Sequence, residues 1–257
     1  MTGGNPVASG DPATGGTPVT GGNPAKTGSP AATGDQQDTT VEFRYPLLAL
    51  VLTTVVAGLI DAFTLLRYGV FTANQSGNVV HVGMGLSGRF PQWLVAAASI
   101  VGFGVGGVVA GRLRRVSPTS PPVAELVGVI TVLALWATAD LLLDSGRGDR
   151  TQQVLLATLA AIGLGLLARL FLRTAGVRTS TTYQTSTVLN TTRALSEWIG
   201  SRGRRPDAAR RWMLGFVGVA GYAVGGGIGA VVQRSVAWVF VLALAVVAAL
   251  LAVARVP

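Results

Sequence analysis

The chain contains no cysteine and only one histidine, His81. Without cysteine, it can form no disulfide, no thiol nucleophile and no cysteine metal site. A single histidine cannot supply a histidine cluster for a metal within one chain. The sequence also shows no phosphate-binding loop, and its serine and threonine residues have no well-placed histidine to act as a base. We therefore expect no enzymatic activity, no metal and no cofactor.

Charged residues are also scarce, at 12% of the chain, and acidic residues are fewer than basic ones (11 against 20). Apolar residues make up 49% of the chain and form long runs. Most basic residues are arginines that lie between those runs, which is typical of cytoplasmic loops in membrane proteins. The pattern predicts a multi-pass protein embedded in a lipid bilayer, with no nucleic-acid partner.

Residues 1–44 have a different composition from the rest. They repeat short motifs rich in glycine, proline and threonine and contain almost no large apolar side chain. Such a segment cannot bury enough apolar surface to fold by itself. The sequence therefore predicts a disordered cytoplasmic tail over residues 1–44 and a membrane domain over residues 45–257.

Six apolar segments are long enough to cross a bilayer as helices. They cover residues 46–66, 93–111, 123–143, 154–172, 212–232 and 236–254. Two other stretches, residues 71–86 and 179–195, are too polar and too short to be further spans. We interpret each of these two as a polar turn followed by a short helix.

The order of these segments repeats. The sequence GFGVGG at 102–107 aligns with GYAVGG at 221–226, and a tryptophan, Trp93 or Trp212, lies nine residues before each. The polar stretch TANQSGNVV at 72–80 aligns with TTYQTSTVL at 181–189. The sequence thus predicts two repeats, residues 45–145 and 150–257, each with a span, a short polar helix and two further spans.

Arginine positions predict how the repeats are oriented. If the stretch 179–195 crossed the membrane, the most basic loop would lie outside the cytoplasm, against the usual distribution of charge. A re-entrant helix that enters and returns keeps that loop inside. Three spans per repeat is an odd number, so the repeats should be inverted, as in many transporters. Both termini are then cytoplasmic. The arginines concerned are Arg112, Arg114 and Arg115 after the second span, and Arg202, Arg204, Arg205, Arg210 and Arg211 before the fifth.

Two re-entrant helices from opposite sides would bring their polar ends toward the membrane centre. A helix N-terminus carries free N–H groups and partial positive charge, so it can hold an anion or a polar ligand. The same side chains could instead only cap the helices, as Asn74 and Ser76 would in the first repeat. The candidate ligand-binding or ion-binding residues are Asp61, Asn74, Gln75, Ser76, Asn78, His81, Thr182, Gln184 and Thr185.

Three ionisable residues of the membrane domain need an interpretation, and for two of them there are alternatives. An acid at membrane depth is costly, so Asp61 is either a proton or cation site or a buried acid paired with an amide such as Asn74 or Asn78. His81 is either a hydrogen-bonded packing residue or a proton relay. Asp140 lies near a predicted helix end and is interpreted as interfacial.

Glycines spaced by four residues recur in the second and fifth spans. This spacing lets two helices approach closely. The predicted packing glycines are Gly102, Gly106, Gly107, Gly111, Gly221, Gly225 and Gly229.

Two motifs in the first repeat carry a family resemblance. The sequence GLIDA at 58–62 is followed by FTANQSGN at 71–78. This pair is similar to the G-x-x-D-A and F-x-A-N-x-[ST]-G-N motifs of the YoaK family of bacterial multi-pass membrane proteins. The second repeat departs from the family, with GLLAR at 165–169 in place of an amide pair. The resemblance implies importance for Asp61, Asn74 and Asn78 and a bacterial inner-membrane location, and it names no substrate.

The preferred interpretation is a transporter of a small solute or ion, with its site between the two re-entrant helices. A membrane scaffold that does not transport and a channel remain alternatives, and a homo-oligomer is compatible with the sequence. The expected fold is an all-α integral membrane protein with six spans and two re-entrant helices in two inverted repeats.

Overall fold

Eight α-helices make up the part of the chain that the structure describes. The computed structural model describes residues 43, 45–116, 122–143, 149–169 and 184–254, and these residues contain no β-strand. Apart from Phe43, the predicted tail over residues 1–44 lies outside the described residues. The helices are α1 Pro46–Tyr68, α2 Gln75–Leu86, α3 Trp93–Val116, α4 Val123–Leu143, α5 Arg150–Arg169, α6 Gln184–Gly200, α7 Pro206–Val232 and α8 Val236–Ala254.

Five of these helices, α1, α3, α4, α5 and α7, are long and apolar enough to cross a membrane. The helix α8 is apolar over Ala237–Ala252, which is a shorter stretch. The all-α architecture of a multi-pass membrane protein, as predicted from the apolar runs, is therefore confirmed.

Proline and glycine mark the helix ends that matter for the site. Pro46 occupies the first turn of α1, where its missing N–H costs nothing. Gly69 ends the same helix with a φ of 76°, and its N–H donates to the carbonyl of Leu65. This left-handed residue closes α1 and reverses the chain toward α2, because only glycine adopts that conformation without strain.

The two polar stretches form helices of different lengths. The helix α2 has 12 residues and ends at the predicted Leu86. The helix α6 has 17 residues and continues to Gly200, five residues beyond the predicted end at residue 195. The residues after position 195 still adopt helical conformation, and the chain leaves the helix direction only where Arg202 and Gly203 have positive φ.

The helices form two bundles. The most extensive contacts are those of α3 with α5 and of α1 with α7. In the α3 bundle, α4 also packs on α5 and α2 packs on α3; in the α1 bundle, α8 packs on α1 and α6 packs on α7. The bundles meet chiefly through α4 and α8, and to a smaller extent through α1 and α5. Each bundle thus takes its first span from the opposite predicted repeat.

Glycines allow α1 and α7 to touch backbone to backbone. A methyl group built at Gly225 would overlap the carbonyl oxygen of Val55, and one at Gly58 would overlap the carbonyl oxygen of Tyr222. A side chain at either position would therefore push the two helices apart.

The contact between α3 and α5 reproduces this arrangement residue for residue. A methyl group at Gly106 would overlap the carbonyl oxygen of Ile162, and one at Gly165 would overlap that of Phe103. The sequence repeat aligns Gly106 with Gly225 and Phe103 with Tyr222. Likewise, the alignment of GLLAR with GLIDA matches Gly165 to Gly58 and Ile162 to Val55.

The other predicted packing glycines differ in their surroundings. Gly107 lies outside these contacts, because a methyl group there would meet nothing within 4 Å in the described structure. Gly107 lies on a different side of α3 from the α5 contact that its neighbour Gly106 makes. Gly111 lies near the guanidinium group of Arg169 rather than a backbone. The positions that do face another helix closely are Gly102 against Thr158, Gly221 against Thr54 and Gly229 against Leu59.

Candidate functional site

Asp61 forms hydrogen bonds with the segment that connects α1 and α2. It lies in α1, is 2% exposed, and its carboxylate accepts the backbone N–H groups of Thr72, Ala73 and Asn74 at 2.7, 2.6 and 2.9 Å. The hydroxyl of Thr72 also donates to it, at 3.2 Å. From α7, the hydroxyl of Tyr222 donates to Oδ2 of Asp61, the same oxygen that accepts the N–H of Asn74. One side chain therefore joins α1, α7 and the segment leading into α2.

All the partners of Asp61 are hydrogen-bond donors, which suits an ionised carboxylate. The carboxylate also lies at the N-terminal end of α2, where the helix dipole favours a negative charge. The amide side chains of Asn74 and Asn78, which the sequence offered as partners for Asp61, bond elsewhere. The carboxylate instead satisfies backbone groups that would otherwise be unpaired at membrane depth.

Asn78 holds the other side of the same turn. It is fully buried, and its side chain accepts the N–H of Phe71 at 3.0 Å and donates to the carbonyl of Phe71 at 2.6 Å. Ser99 of α3 also donates to that carbonyl, at 2.7 Å. Gln75 accepts a hydrogen bond from Asn78 at 2.8 Å and donates to the carbonyl of Thr72 at 2.8 Å. These bonds connect the turn to the α3 bundle.

Ser76 is the exposed polar residue of the turn, and Asn74 and Gln75 are half-buried. Asn74 is the residue before α2, but its side chain does not cap the helix. The side-chain amide oxygen of Asn74 instead accepts a hydrogen bond from the hydroxyl of the exposed Ser76 at 2.8 Å. The expected capping role therefore falls to the carboxylate from α1.

His81 is a stacked residue rather than a hydrogen-bonded one. Its ring lies parallel to that of Phe90, with ring centres 4.2 Å apart, and it also stacks on Phe71 at 6.2 Å. In the described part of the chain its Nδ1 atom has no hydrogen-bond partner. Partial burial lowers the pKa of His81 below its usual value.

The second predicted polar turn can be placed only in part. Thr182 lies outside the described residues, Gln184 is the first residue of α6, and Thr185 is exposed. The sequence repeat aligns Asp61 with Ala168 and Tyr222 with Phe103. Both members of the hydrogen-bonded pair are therefore apolar in the equivalent contact of α5 with α3.

A second polar cluster was not predicted from the sequence. Asp140 is fully buried between helices, because α4 turns it toward α1. It accepts hydrogen bonds from Arg67 at 3.1 Å and from Tyr68 at 2.5 Å. Arg67 and Tyr68 had no distinguishing signal in the sequence except their position at the end of a span that contains Asp61.

Two further partners of the first cluster were also missed, Ser99 and Tyr222. Each carried a weak signal. Ser99 is an isolated hydroxyl in an apolar span, and Tyr222 is a phenol where the other repeat has Phe103. Neither signal identifies a partner, because the partner lies on another helix far away in the sequence.

The chemistry available at the site is polar recognition. Within the described ranges, no three histidine, aspartate or glutamate side chains lie close enough to hold a metal ion. The polar groups form a hydrogen-bonded turn in which Ser76 is exposed and Asn74 and Gln75 are half-buried. Such a turn offers amide and hydroxyl groups that can hydrogen-bond to a polar molecule or an ion.

Comparison with known proteins places the chain in a family. The profile of the family DUF1275, described as a protein of unknown function, matches residues 49–254. Neither the curated proteins nor the solved structures contain a match. The family match covers nearly all of the helical region and is consistent with the resemblance to the YoaK family. The chain therefore belongs to the DUF1275 family of proteins of unknown function.

Proposed function

We propose that this protein is a membrane transporter of a small solute or ion, formed by two inverted repeats with six spans and two re-entrant helices. The observation that carries the proposal is the exchange of first spans between the two bundles. Each bundle combines spans from both repeats, and its central helix pair has the same glycine contacts as the other bundle. Two structurally equivalent bundles that can move against each other are the basis of alternating access in many transporters.

The direction of the helices supports the inversion. The side chain of Gln92, just before α3, lies against Gly69, just after α1, so α3 begins at the membrane side where α1 ends. The helix α5 runs parallel to α3, because Gly102 contacts Thr158 and Gly106 contacts Ile162. The first span of the second repeat thus runs opposite to α1, the first span of the first repeat.

The position of Asp61 supports the re-entrant interpretation of α2. Asp61 lies seven residues before the end of α1, about 10 Å below that end at 1.5 Å per residue. The chain reverses at Gly69 and reaches this depth at Thr72, where it bonds to Asp61. The helix α2 then returns, and Gly85 near its end packs against Trp93 at the start of α3.

Arginine residues support a cytoplasmic location for one side of the bundles. The helix α7 runs parallel to α1, because Gly221 contacts Thr54, Gly225 contacts Val55 and Gly229 contacts Leu59. The N-terminal end of α7 therefore lies on the same side as the C-terminal ends of α3 and α5. That side carries Arg114, Arg115, Arg169 and the loop before Pro206. The positive-inside rule then places both termini in the cytoplasm of a bacterial inner membrane, with α8 as the sixth span.

Labelling can test this topology, because the chain has no cysteine. We expect a single cysteine at the exposed Ser87, between α2 and α3, to react with a membrane-impermeant thiol reagent added outside intact cells. A single cysteine at the exposed Arg204 should react only after the cells are permeabilised. Labelling of the Arg204 variant in intact cells would contradict the re-entrant topology.

A transport assay tests the function itself. The protein would be reconstituted into liposomes on a solid-supported membrane, and currents recorded after jumps of sodium, potassium, chloride or acetate concentration. We expect a saturable current with at least one of these probes and its loss in Asn74→Ala. That variant removes a half-buried polar side chain that bonds to the exposed Ser76, while the backbone N–H that bonds to Asp61 remains.

The matched control is Ser87→Ala, which removes an exposed hydroxyl outside the turn. It should transport like the unmodified protein. A non-saturable conductance would instead indicate a channel. No current with any probe, from protein that is folded, would favour a scaffold.

A further inference from the structure

Arg67, Tyr68 and Asp140 form a charged cluster that the proposed solute site does not use; Tyr68 and Asp140 are buried and the Arg67 side chain is 18% exposed. We propose that this cluster is the extracytoplasmic gate between the two bundles, and that the structure shows the gate closed. The proposal rests on the transport function proposed above. Three observations support the gate: the position of the cluster, the burial of Asp140, and the different position of a second ion pair of α4, Arg114 with Glu125.

The cluster joins the two bundles directly. Arg67 and Tyr68 belong to α1, and Asp140 belongs to α4 of the α3 bundle. The helices α1 and α4 do not pack extensively on each other, so the contact between them is made by side chains such as these. They lie at the C-terminal ends of both helices, which is the extracytoplasmic side in the proposed topology.

Aromatic rings close the boundary below the ion pair. The indole N–H of Trp136 in α4 donates to the hydroxyl of Tyr68 at 3.3 Å. The Trp136 ring makes edge contacts with Phe63 of α1 and Phe240 of α8, with ring centres 5.7 and 4.8 Å apart. These rings fill the space between the bundles, so the cluster covers a dry layer rather than an open path.

The other ion pair of α4 provides the contrast. Glu125, near the start of α4, lies 3.8 Å from Arg114 at the end of α3, and its side chain is also nearly buried. Glu125 and Asp140 are 15 residues apart, which corresponds to about 22 Å along the helix. The pair at Glu125 links two helices of the same bundle, so a motion between bundles leaves it intact.

Separation of the bundles on the extracytoplasmic side must part Asp140 from both of its partners on α1. In an apolar setting this is costly until water reaches the charges, because a buried charge without its partner is strongly destabilising. The cluster would therefore hold the extracytoplasmic side closed until another interaction offsets that cost. Removal of the Asp140 charge should make the open state more frequent.

Thiol accessibility can test the gate in a chain that has no cysteine of its own. The reporter is Ala137→Cys, one turn before Asp140 in α4 and 5% exposed in the closed structure. A membrane-impermeant thiol reagent is added from the extracytoplasmic side of reconstituted vesicles. Asp140→Asn should raise the labelling rate about tenfold or more. Tyr68→Phe should raise it less, because it removes one hydroxyl and leaves the ion pair.

Two comparisons make the result specific. Glu125→Gln removes a buried acid from the same helix and should leave the rate at Ala137→Cys unchanged. The double variant Arg67→Asp with Asp140→Arg restores a pair of opposite charges and should return the rate toward the original value. An unchanged rate in both Asp140→Asn and Tyr68→Phe, in protein that elutes as a single species, would overturn the gate. An equal increase in Glu125→Gln would also overturn it.

The labelling experiment requires no substrate, so it separates the two proposals. If the gate variants change accessibility but no probe gives a current, the transport proposal fails and the cluster remains a latch between bundles. If transport is present and accessibility does not change, only the gate proposal fails.

Discussion

Asp61→Asn is expected to lower the free energy of unfolding by about 3–5 kcal/mol, because it removes a buried charge from a set of donors. An asparagine at this position would direct its own N–H groups at donors. At least one of the backbone N–H groups of Thr72, Ala73 and Asn74 would then be left without an acceptor. The measurement is unfolding of the purified protein in mixed detergent micelles as the fraction of sodium dodecyl sulfate rises.

The matched control for this prediction is Asn74→Ala. Asn74 contributes its backbone N–H to Asp61, and its side chain bonds only to the exposed Ser76 among the contacts described. Its replacement by alanine should change the stability by less than about 1 kcal/mol. If the two variants unfold at the same detergent fraction, Asp61 is not the structural anchor described here. If Asn74→Ala loses transport but keeps its stability, Asp61 has the structural role and Asn74 has the role of contacting the solute.

Gly225→Ala is expected to lower the free energy of unfolding by about 3 kcal/mol through a direct clash between α7 and α1. The added methyl group would overlap the carbonyl oxygen of Val55, and a backbone atom in a helix cannot move aside without shifting the helix. Because the other bundle repeats this contact, Gly106→Ala should have a similar effect through Ile162. Unfolding in mixed micelles measures both losses.

Open glycines on the same helices provide the controls for these two variants. A methyl group at Gly227 in α7 or at Gly104 in α3 would meet nothing within 4 Å in the described structure. Alanine at either position should change the stability by less than about 0.5 kcal/mol, or raise it slightly, because alanine favours helix more than glycine does. Equal destabilisation by Gly225→Ala and Gly227→Ala would contradict the proposed close contact.

Sequence reasoning located the polar turn and many of its side chains, because both depend on local pattern. Apolar length predicted the long helices, and the contrast of FTANQSGN with its apolar flanks identified the turn. The predicted role of Asn74 as a helix cap was wrong in detail. Its side chain bonds to Ser76, and the backbone before α2 is satisfied by a carboxylate from another helix.

Partners on distant helices could not be predicted in the same way. Tyr222 lies 161 residues from Asp61, and Arg67 lies 73 residues from Asp140. A single sequence contains no signal for such pairs, because the rotation of each helix about its axis decides which side chains meet. Asp140 is an example. Its position near a helix end indicated only that it lies near the membrane boundary, whereas the rotation of α4 decides that its side chain is buried against α1.

The amino-acid sequence by itself indicated a helical membrane protein, and it predicts an internal duplication. The length of apolar runs, the spacing of glycines and the positions of arginines are patterns of the sequence, and they can be recognised without knowledge of any tertiary contact. The tertiary structure decided how the duplicates combine, because α1 could pack against α3 of its own repeat or against α7 of the other with the same glycine motif. It also decided that the first polar turn is fastened by Asp61. A carboxylate in α1 can satisfy the backbone before α2 only where Gly69 has turned the chain back beside it.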